Sequence, residues 1–201
     1  MFELFTKGGP LMYPLLFCSI LTVAYGIERG YHYLKAGQSK DAPEQIHTLI
    51  EQGSYDQALA LATSSPGPVA AVLAEGLRHQ GAQADLLEEM ISLAGFRELV
   101  RLNRHLHILE LIGRMAPLMG LLGTVLGMVA AFQQVALAKG SVDPSLLAGG
   151  IWEALITTVA GLSVAIPALV LHHLYEDRVQ SYAHLMKHYG TEAVKHLGVR
   201  G

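Results

Sequence analysis

Two long segments without charged residues dominate this chain and limit what it can fold into. Residues 115–138 and 154–175 contain no Asp, Glu, Lys or Arg, and residues 11–27 form a shorter segment of the same kind. About 20 apolar residues in an α-helix span the ~30 Å hydrocarbon core of a bilayer. Charged residues make up only 15% of the chain, against ~25% in an average globular domain. The sequence therefore predicts a membrane protein with three transmembrane helices.

The N-terminal apolar segment has a second interpretation, which is a signal peptide. A signal peptide carries a basic region before its apolar stretch and a small-residue cleavage site after it. Here Glu3 offsets Lys7, and Glu28 and Arg29 stand where the cleavage site is expected. We interpret the segment as a retained transmembrane helix.

The positions of the basic residues indicate the orientation in the membrane. Twelve of the 14 Lys and Arg residues lie between the first and second apolar segments or after the third, and only Lys7 and Lys139 lie elsewhere. Cytoplasmic flanks of transmembrane helices carry this excess. The predicted organisation is a periplasmic N-terminus and first transmembrane helix (1–29), a cytoplasmic helical region (30–110), a second and third transmembrane helix with a short periplasmic loop (111–176), and a cytoplasmic C-terminal helix (177–201).

The segment between the first two apolar stretches has helical periodicity. Breaks are expected near Gly53 and at the Ser-Ser-Pro-Gly-Pro run of residues 64–68, with a helix from Val69 to His79 after it. From Asp85 no strong helix breaker occurs until Pro117, which predicts one helix of about 50 residues, or ~75 Å, running into the second membrane segment. The predicted fold is an all-α membrane protein with three transmembrane helices and long cytoplasmic helical extensions, which favour side-by-side packing with copies of the same chain.

Small residues recur at helical spacing in the second apolar segment. Gly120, Gly123 and Gly127 lie there, and Gly123 and Gly127 form a small-xxx-small pair that Ala131 continues. Such residues let helix backbones approach closely in lipid, although Gly is also simply common in membrane helices. Thr124 lies among them, and its hydroxyl either bonds to the carbonyl four residues earlier or faces a polar seam.

The third apolar segment contains a carboxylate. Glu153 lies near its start, Thr157 and Gly161 follow on nearly the same helix face, and Pro167 allows a kink. An ionised carboxylate in hydrocarbon is costly, so an intramembrane Glu indicates pairing or an ion path. The alternative is that the helix enters the membrane later, with Glu153 at the headgroups beside the interfacial residue Trp152.

Two motifs resemble a known family. Residues 114–128 (RMAPLMGLLGTVLGM) resemble the second-span signature of the MotA/TolQ/ExbB proton-channel family, and residues 149–168 (GGIWEALITTVAGLSVAIPA) resemble its third-span signature. Residues 53–59 and 66–73 are similar to its cytoplasmic region, with less specific motifs. Three spans and this length resemble the ExbB/TolQ branch more than MotA, which has four spans.

The resemblance implies a motor subunit in the bacterial inner membrane. Family members form pentamers around a pore that holds a dimer of single-span ExbD/TolR-type partners. The resemblance implies that copies of the chain assemble as a ring-forming homo-oligomer, and that proton flow past a membrane aspartate of the partner moves the partner dimer within this ring. The work passes to a TonB- or TolA-type protein. The implied function is the energising of TonB-dependent transport across the outer membrane. The alternatives are a Tol-Pal-type motor for envelope maintenance and a passive membrane scaffold.

The resemblance also implies roles for single residues. The positions that match the family motifs are Glu153, Thr124 and Thr158 in the proton pathway, and Pro117 and Pro167 at the prolines. Thr157 has no such match and is a candidate from helix geometry alone. Thr158 lies about 140° round the helix from Glu153, so one straight stripe cannot contain both. In a ring, one of the two could face the pore and the other a neighbouring subunit.

Other classes of function are not indicated. The net charge of −3 argues against a nucleic-acid partner, and the single Cys18 excludes a Cys-based metal centre. Of the paired histidines at 105/107, 172/173 and 184/188, only the last spacing places both rings on one helix face, and no carboxylate among residues 185–187 completes a site there. No metal or cofactor is therefore expected. No nucleophile–base motif, phosphate loop or HExxH sequence occurs, and the chain is not expected to be an enzyme.

Overall fold

The computed structural model describes residues 8–39, 41–137 and 144–199, without the side chains of residues 144–146 and Glu153. Most of the expected periplasmic loop lies outside these residues. The described residues form seven α-helices and no β-strand, which confirms the predicted all-α fold. The helices are α1 (Met12–Ala36), α2 (Ala42–Glu51), α3 (Tyr55–Ser64), α4 (Pro68–Arg78), α5 (Ala84–Asn103), α6 (Leu106–Leu137) and α7 (Pro144–Leu197).

The chain divides into two compact units. One, here called the apolar unit, comprises Met1–Ile27 and His105–His173. The other, here called the polar unit, comprises Glu28–Arg104 and Leu174–Gly201. The predicted boundaries between membrane and cytoplasmic segments stay predictions.

The polar unit has a core of long aliphatic side chains. Helices α2 to α5 pack on their neighbours in sequence, and α2 also contacts α4. A left-handed Gly53 (φ 74°) forms the turn between α2 and α3, at the position that the sequence predicts. The largest fully buried side chains of this unit are Ile46, Ile50, Val72, Leu73, Leu87 and Leu102. Burying a Leu or Ile side chain stabilises a fold by about 1.5–3 kcal/mol.

The predicted single helix from Asp85 into the second apolar segment is wrong. The helix is interrupted between α5 and α6, where His105 adopts a left-handed φ of 67°. Two donors from α1 bond to carbonyls at the end of α5, and the Arg101 carbonyl also accepts from the Arg104 amide at 3.4 Å. The Tyr33 hydroxyl donates to the Leu102 carbonyl at 2.8 Å, and the buried Arg29 guanidinium donates to the Arg101 carbonyl at 3.5 Å. A cation at a helix C-terminus is also favoured by the helix dipole.

The apolar unit is built from α1, α6 and α7. Leu15, Ala116 and Ala165 form its buried cluster, one residue from each helix. By length and composition, α6 and the Leu147–Leu197 part of α7 are each able to cross a membrane. Helix α1 does not meet that criterion, so a transmembrane span at α1 stays a prediction.

Candidate functional site

Helices α6 and α7 approach closely along a line of small residues. A Cβ atom added at Gly120 would lie 2.9 Å from the Thr157 carbonyl oxygen, and one added at Gly161 would lie 2.6 Å from the Ala116 carbonyl oxygen. Real Cβ atoms are essentially never found this close to other heavy atoms. Only glycine therefore fits at either position without moving a backbone.

The same line continues toward the C-terminal end of α6. A Cβ atom added at Gly127 would lie 2.8 Å from the Cβ of Ala154, and one added at Gly150 would lie 2.5 Å from the Cβ of Ala131. A Cβ at Gly123 would overlap the side chain of Thr157. The small face that the sequence singles out thus contacts α7 of its own chain.

Two of the candidate threonines belong to this interface. Thr157 is 2% exposed, and its hydroxyl donates to the Ala154 carbonyl of its own helix at 2.6 Å. Thr158 is half-buried, and its hydroxyl donates across the interface to the Gly120 carbonyl at 3.1 Å. A hydrogen bond between membrane helices contributes about 0.6 kcal/mol on average. Thr158 therefore joins the two helices as well as matching a motif position.

Thr124 has a different environment. It is half-buried, and it borders a shallow groove on α6 with Val125, Met128, Phe132 and Gln133. Its hydroxyl donates at 2.7 Å to the carbonyl three residues earlier, that of Leu121. The carbonyl four residues earlier, one of the two possibilities that the sequence leaves open, belongs to Gly120 and accepts a hydrogen bond from Thr158.

Glu153 lies within a continuous helix. The backbone of α7 is helical from Pro144, nine residues before Glu153. The side chain of Glu153 is outside the described part of the structure. Its neighbour Ala154 is 3% exposed against α6, whereas Trp152 is 60% exposed. The first turns of α7 thus combine a buried face against α6 with an open face.

The two prolines lie inside helices that continue past them. Pro117 is half-buried in α6, and Pro167 is exposed in α7. A proline inside a helix removes the hydrogen bond to the carbonyl four residues earlier. Each helix therefore lacks one backbone hydrogen bond at its proline and continues past it.

A group of polar residues in the polar unit has no role in the predictions from sequence. Arg29 serves there as an orientation signal and as evidence against a cleavage site, and Tyr33, Tyr175 and Tyr182 are not singled out. Burial raises the pKa of Tyr33 to about 12, so its hydroxyl stays protonated and donates to α5 at neutral pH. The spacing of Arg178 and Tyr182, four residues apart on α7, is the signal that could have drawn attention to this region.

Comparison with known proteins identifies the class to which this fold and these motifs belong. The family model of the MotA/TolQ/ExbB proton channels matches residues 64–188, which include both apolar motifs. The chain belongs to the MotA/TolQ/ExbB proton channel family. It is thus a subunit of a membrane channel or motor, and the family is not a class of enzymes.

The similar curated proteins carry ExbB names. The biopolymer transport protein exbB1 of Vibrio cholerae is 34% identical over 194 residues, covering 86% of this chain and 79% of that protein. The putative biopolymer transport protein ExbB-like 1 of Synechocystis is 34% identical, covering 83% and 67%. A putative ExbB homolog of Methanothermobacter thermautotrophicus is 29% identical, and the chain spans 63% of its length. These relatives confirm the resemblance to the family.

Proposed function

We propose that the chain is the ring-forming subunit of a motor driven by the proton motive force in the bacterial inner membrane. Five copies form a ring whose central pore holds a dimer of a single-span ExbD/TolR-type partner. The motor passes work to a TonB-type protein and so energises transport across the outer membrane. The family match over residues 64–188 carries the proposal, because it covers both apolar motifs in one alignment.

The surface of the apolar unit supports a position in lipid and among other copies. Large apolar side chains stay exposed along α6 and α7, at Leu118, Leu121, Leu122, Val125, Leu126, Val129, Phe132, Leu155, Val159, Leu162, Ile166 and Val170. Contiguous apolar surface of this extent on a single chain indicates a membrane or association surface. In the ring, lipid covers one part of this surface and neighbouring subunits cover another.

Helix α1 supplies the first span of the proposed topology, in addition to the spans of α6 and α7. Its Leu15 is 2% exposed in the cluster with α6 and α7, whereas its Phe17, Ile20 and Val23 are 58–62% exposed. An apolar helix packed on one side and open on the other suits a position at the edge of a bundle in lipid. The distribution of basic residues then places the N-terminus in the periplasm and the C-terminus in the cytoplasm.

Glu153 is the proposed proton-handling residue. A charged carboxylate in hydrocarbon is costly, and the apolar segment that follows Glu153 contains no Lys or Arg to pair with it. It therefore exchanges a proton or orders polar donors beside the partner's membrane aspartate. Thr124 borders this path from α6, and Thr157 and Thr158 hold α6 and α7 at the spacing that the path requires.

Substitutions at Glu153 test the proposal. In cells that lack their own subunit, Glu153→Ala is expected to abolish uptake that depends on the proton motive force, with the ring intact by native mass spectrometry. Glu153→Asp keeps the charge with a shorter reach and is expected to retain part of the activity. Thr158→Val removes one hydrogen bond and is expected to reduce activity less than Glu153→Ala.

The outcome also separates the alternatives. Full uptake by the Glu153→Ala variant would contradict the role of this residue. Restoration of envelope integrity without uptake would assign the chain to a Tol-type system. A ring that assembles with its partner but conducts no protons, either as the wild type or as the Glu153→Ala variant, would indicate a passive scaffold.

A further inference from the structure

The polar unit contains a cavity of about 660 Å³ that the motor mechanism does not use. It lies between the end of α1, the loop before α4 and the α7 segment that starts at Leu174. We call it the tyrosine pocket, because Tyr33, Tyr175 and Tyr182 contribute to its wall. The rings of Tyr33 and Tyr175 are 5.2 Å apart between centroids.

One side of the tyrosine pocket offers a cation and a hydroxyl donor. Arg178 and Tyr182 lie four residues apart on α7, which places them on the same face of the helix. Among the described residues, Arg178 has no ion pair and the Tyr182 hydroxyl has no hydrogen bond. Burial raises the pKa of Tyr182 more than the nearby Arg178 lowers it, so the hydroxyl remains a donor at neutral pH. The pair is thus available to an anion.

The rest of the tyrosine pocket is apolar. Leu34 and Leu174 are 75% and 56% exposed, and Leu185, Pro43 and Val69 also line the wall. A free inorganic anion would contact only the Arg178 side and leave these side chains uncovered. A ligand with an anionic head and a hydrocarbon tail would cover both parts.

The order of the residues along the chain points to the source of such a ligand. Gly30 follows the end of the first apolar segment by three residues, and Tyr175 is the last residue of the third. In the proposed topology, both places lie at the cytoplasmic surface of the bilayer. Basic pockets beside membrane helices on this side bind anionic lipid headgroups.

We propose that the tyrosine pocket binds one anionic phospholipid of the cytoplasmic leaflet. Arg178 and Tyr182 bind the phosphodiester, and Leu34 and Leu174 contact the glycerol and the upper part of an acyl chain. The proposal rests on the membrane topology given above and is independent of proton conduction.

Lipid retention measures this binding directly. The purified chain is reconstituted in nanodiscs with equal amounts of phosphatidylglycerol and phosphatidylethanolamine, and native mass spectrometry counts the lipids that stay bound. We expect one phosphatidylglycerol per chain for the wild type, and about fivefold less retention for Arg178→Gln. The matched control is Lys187→Gln, an exposed cation on the same helix outside the pocket, which is expected to retain lipid as the wild type does.

A second variant tests the apolar wall. Ala36→Phe fills part of the pocket without changing charge, and it is expected to lower retention while far-UV circular dichroism and the oligomeric state stay unchanged. Equal loss in the Arg178→Gln and Lys187→Gln variants would overturn the proposal, because it would indicate general surface charge. Equal retention of the two lipids, or displacement of the lipid by free glycerol 3-phosphate, would overturn it as well. None of these measurements requires a working motor, so they stand apart from the Glu153 experiment.

Discussion

The two units of the chain are held together in different ways. In the polar unit, long side chains such as Leu73 and Leu87 are fully buried between helices. In the apolar unit, Gly120, Gly123 and Gly161 make the close contacts between α6 and α7. Large side chains are fully buried there at Leu15 and Leu109, whereas most of the long side chains of α6 and α7 between residues 118 and 170 are exposed. The polar unit thus depends on buried large side chains, and the contact between α6 and α7 depends on close approach of the two backbones.

The difference follows from the surroundings that each unit is proposed to have. In water, removing a leucine side chain from solvent is favourable, so large side chains belong inside. In lipid, that gain is absent because the acyl chains are as apolar as leucine, and close backbone packing with interhelical hydrogen bonds takes its place. The Thr158 bond to the Gly120 carbonyl is one such bond. The packing pattern therefore agrees with the proposed division between membrane and cytoplasm.

The largest expected effect is the loss of a buried leucine in the polar unit. Leu87 is 0% exposed, and its neighbour Leu86 is 47% exposed on the same helix. Leu87→Ala leaves a cavity and is expected to lower the free energy of unfolding of the polar unit by about 2–5 kcal/mol. Hydrogen exchange with mass spectrometry would show faster exchange in α4 and α5.

The matched control for this prediction is Leu86→Ala, which removes the same atoms from an exposed position. We expect a change within about 0.5 kcal/mol for this variant. Similar effects of the two variants would mean that burial of long side chains does not hold the polar unit together. The contrast between the two units would then be wrong for the polar unit.

The second prediction concerns the apolar unit, where adding atoms is the disruptive change. Gly127→Leu introduces a side chain where even a Cβ atom would lie 2.8 Å from Ala154, and it is expected to cost about 1–3 kcal/mol by separating α6 from α7. Because the ring depends on the shape of the subunit, native mass spectrometry should show loss of the oligomer.

Gly149→Leu is the control for this prediction, since a Cβ atom at Gly149 meets nothing within 4 Å. It adds the same leucine to a helix of the same unit, and we expect the contact between α6 and α7 to be retained, with hydrogen exchange in both helices as in the wild type. An intact and active ring in the Gly127→Leu variant would show that close backbone packing is dispensable there.

The features that the sequence predicts correctly have local signals. The helical fold and the apolar character of α6 and α7 follow from residue composition over 20 or more positions. The turn at Gly53 follows from a single residue that tolerates a positive φ. Each of these signals lies within the segment that it describes.

The features that the sequence analysis missed depend on partners far along the chain. Nothing between Asp85 and Pro117 marks the helix break, because the donors that bond to carbonyls at the end of α5 are Arg29 and Tyr33, some 70 positions away. The hydrogen bond from Thr158 to the Gly120 carbonyl likewise joins two different helices, across 38 positions of the chain. Long-range hydrogen bonds to backbone carbonyls are therefore the information that the pattern of residues does not contain.

The smallest expected effect tests one of these long-range bonds. Tyr33→Phe removes the hydroxyl that donates to the Leu102 carbonyl at 2.8 Å while keeping the ring, which is 7% exposed. We expect a loss of about 1 kcal/mol from the free energy of unfolding of the polar unit, with faster hydrogen exchange confined to the last turn of α5. Unchanged exchange there would mean that this bond does not maintain the break between α5 and α6.

The pH dependence provides a second readout for the same bond. The pKa of Tyr33 is raised from 10.0 to about 12 in the folded chain, mainly by burial, so folding favours the protonated hydroxyl. The corresponding stability is fully present below pH 10 and is lost as the pH rises from 10 to 12. Burial also raises the pKa of Tyr182, so the quantity to compare is the slope of stability against pH in the wild type and in Tyr33→Phe. A shallower slope in the variant is expected, and equal slopes would indicate that Tyr33 is already ionisable at its ordinary pKa in the folded protein.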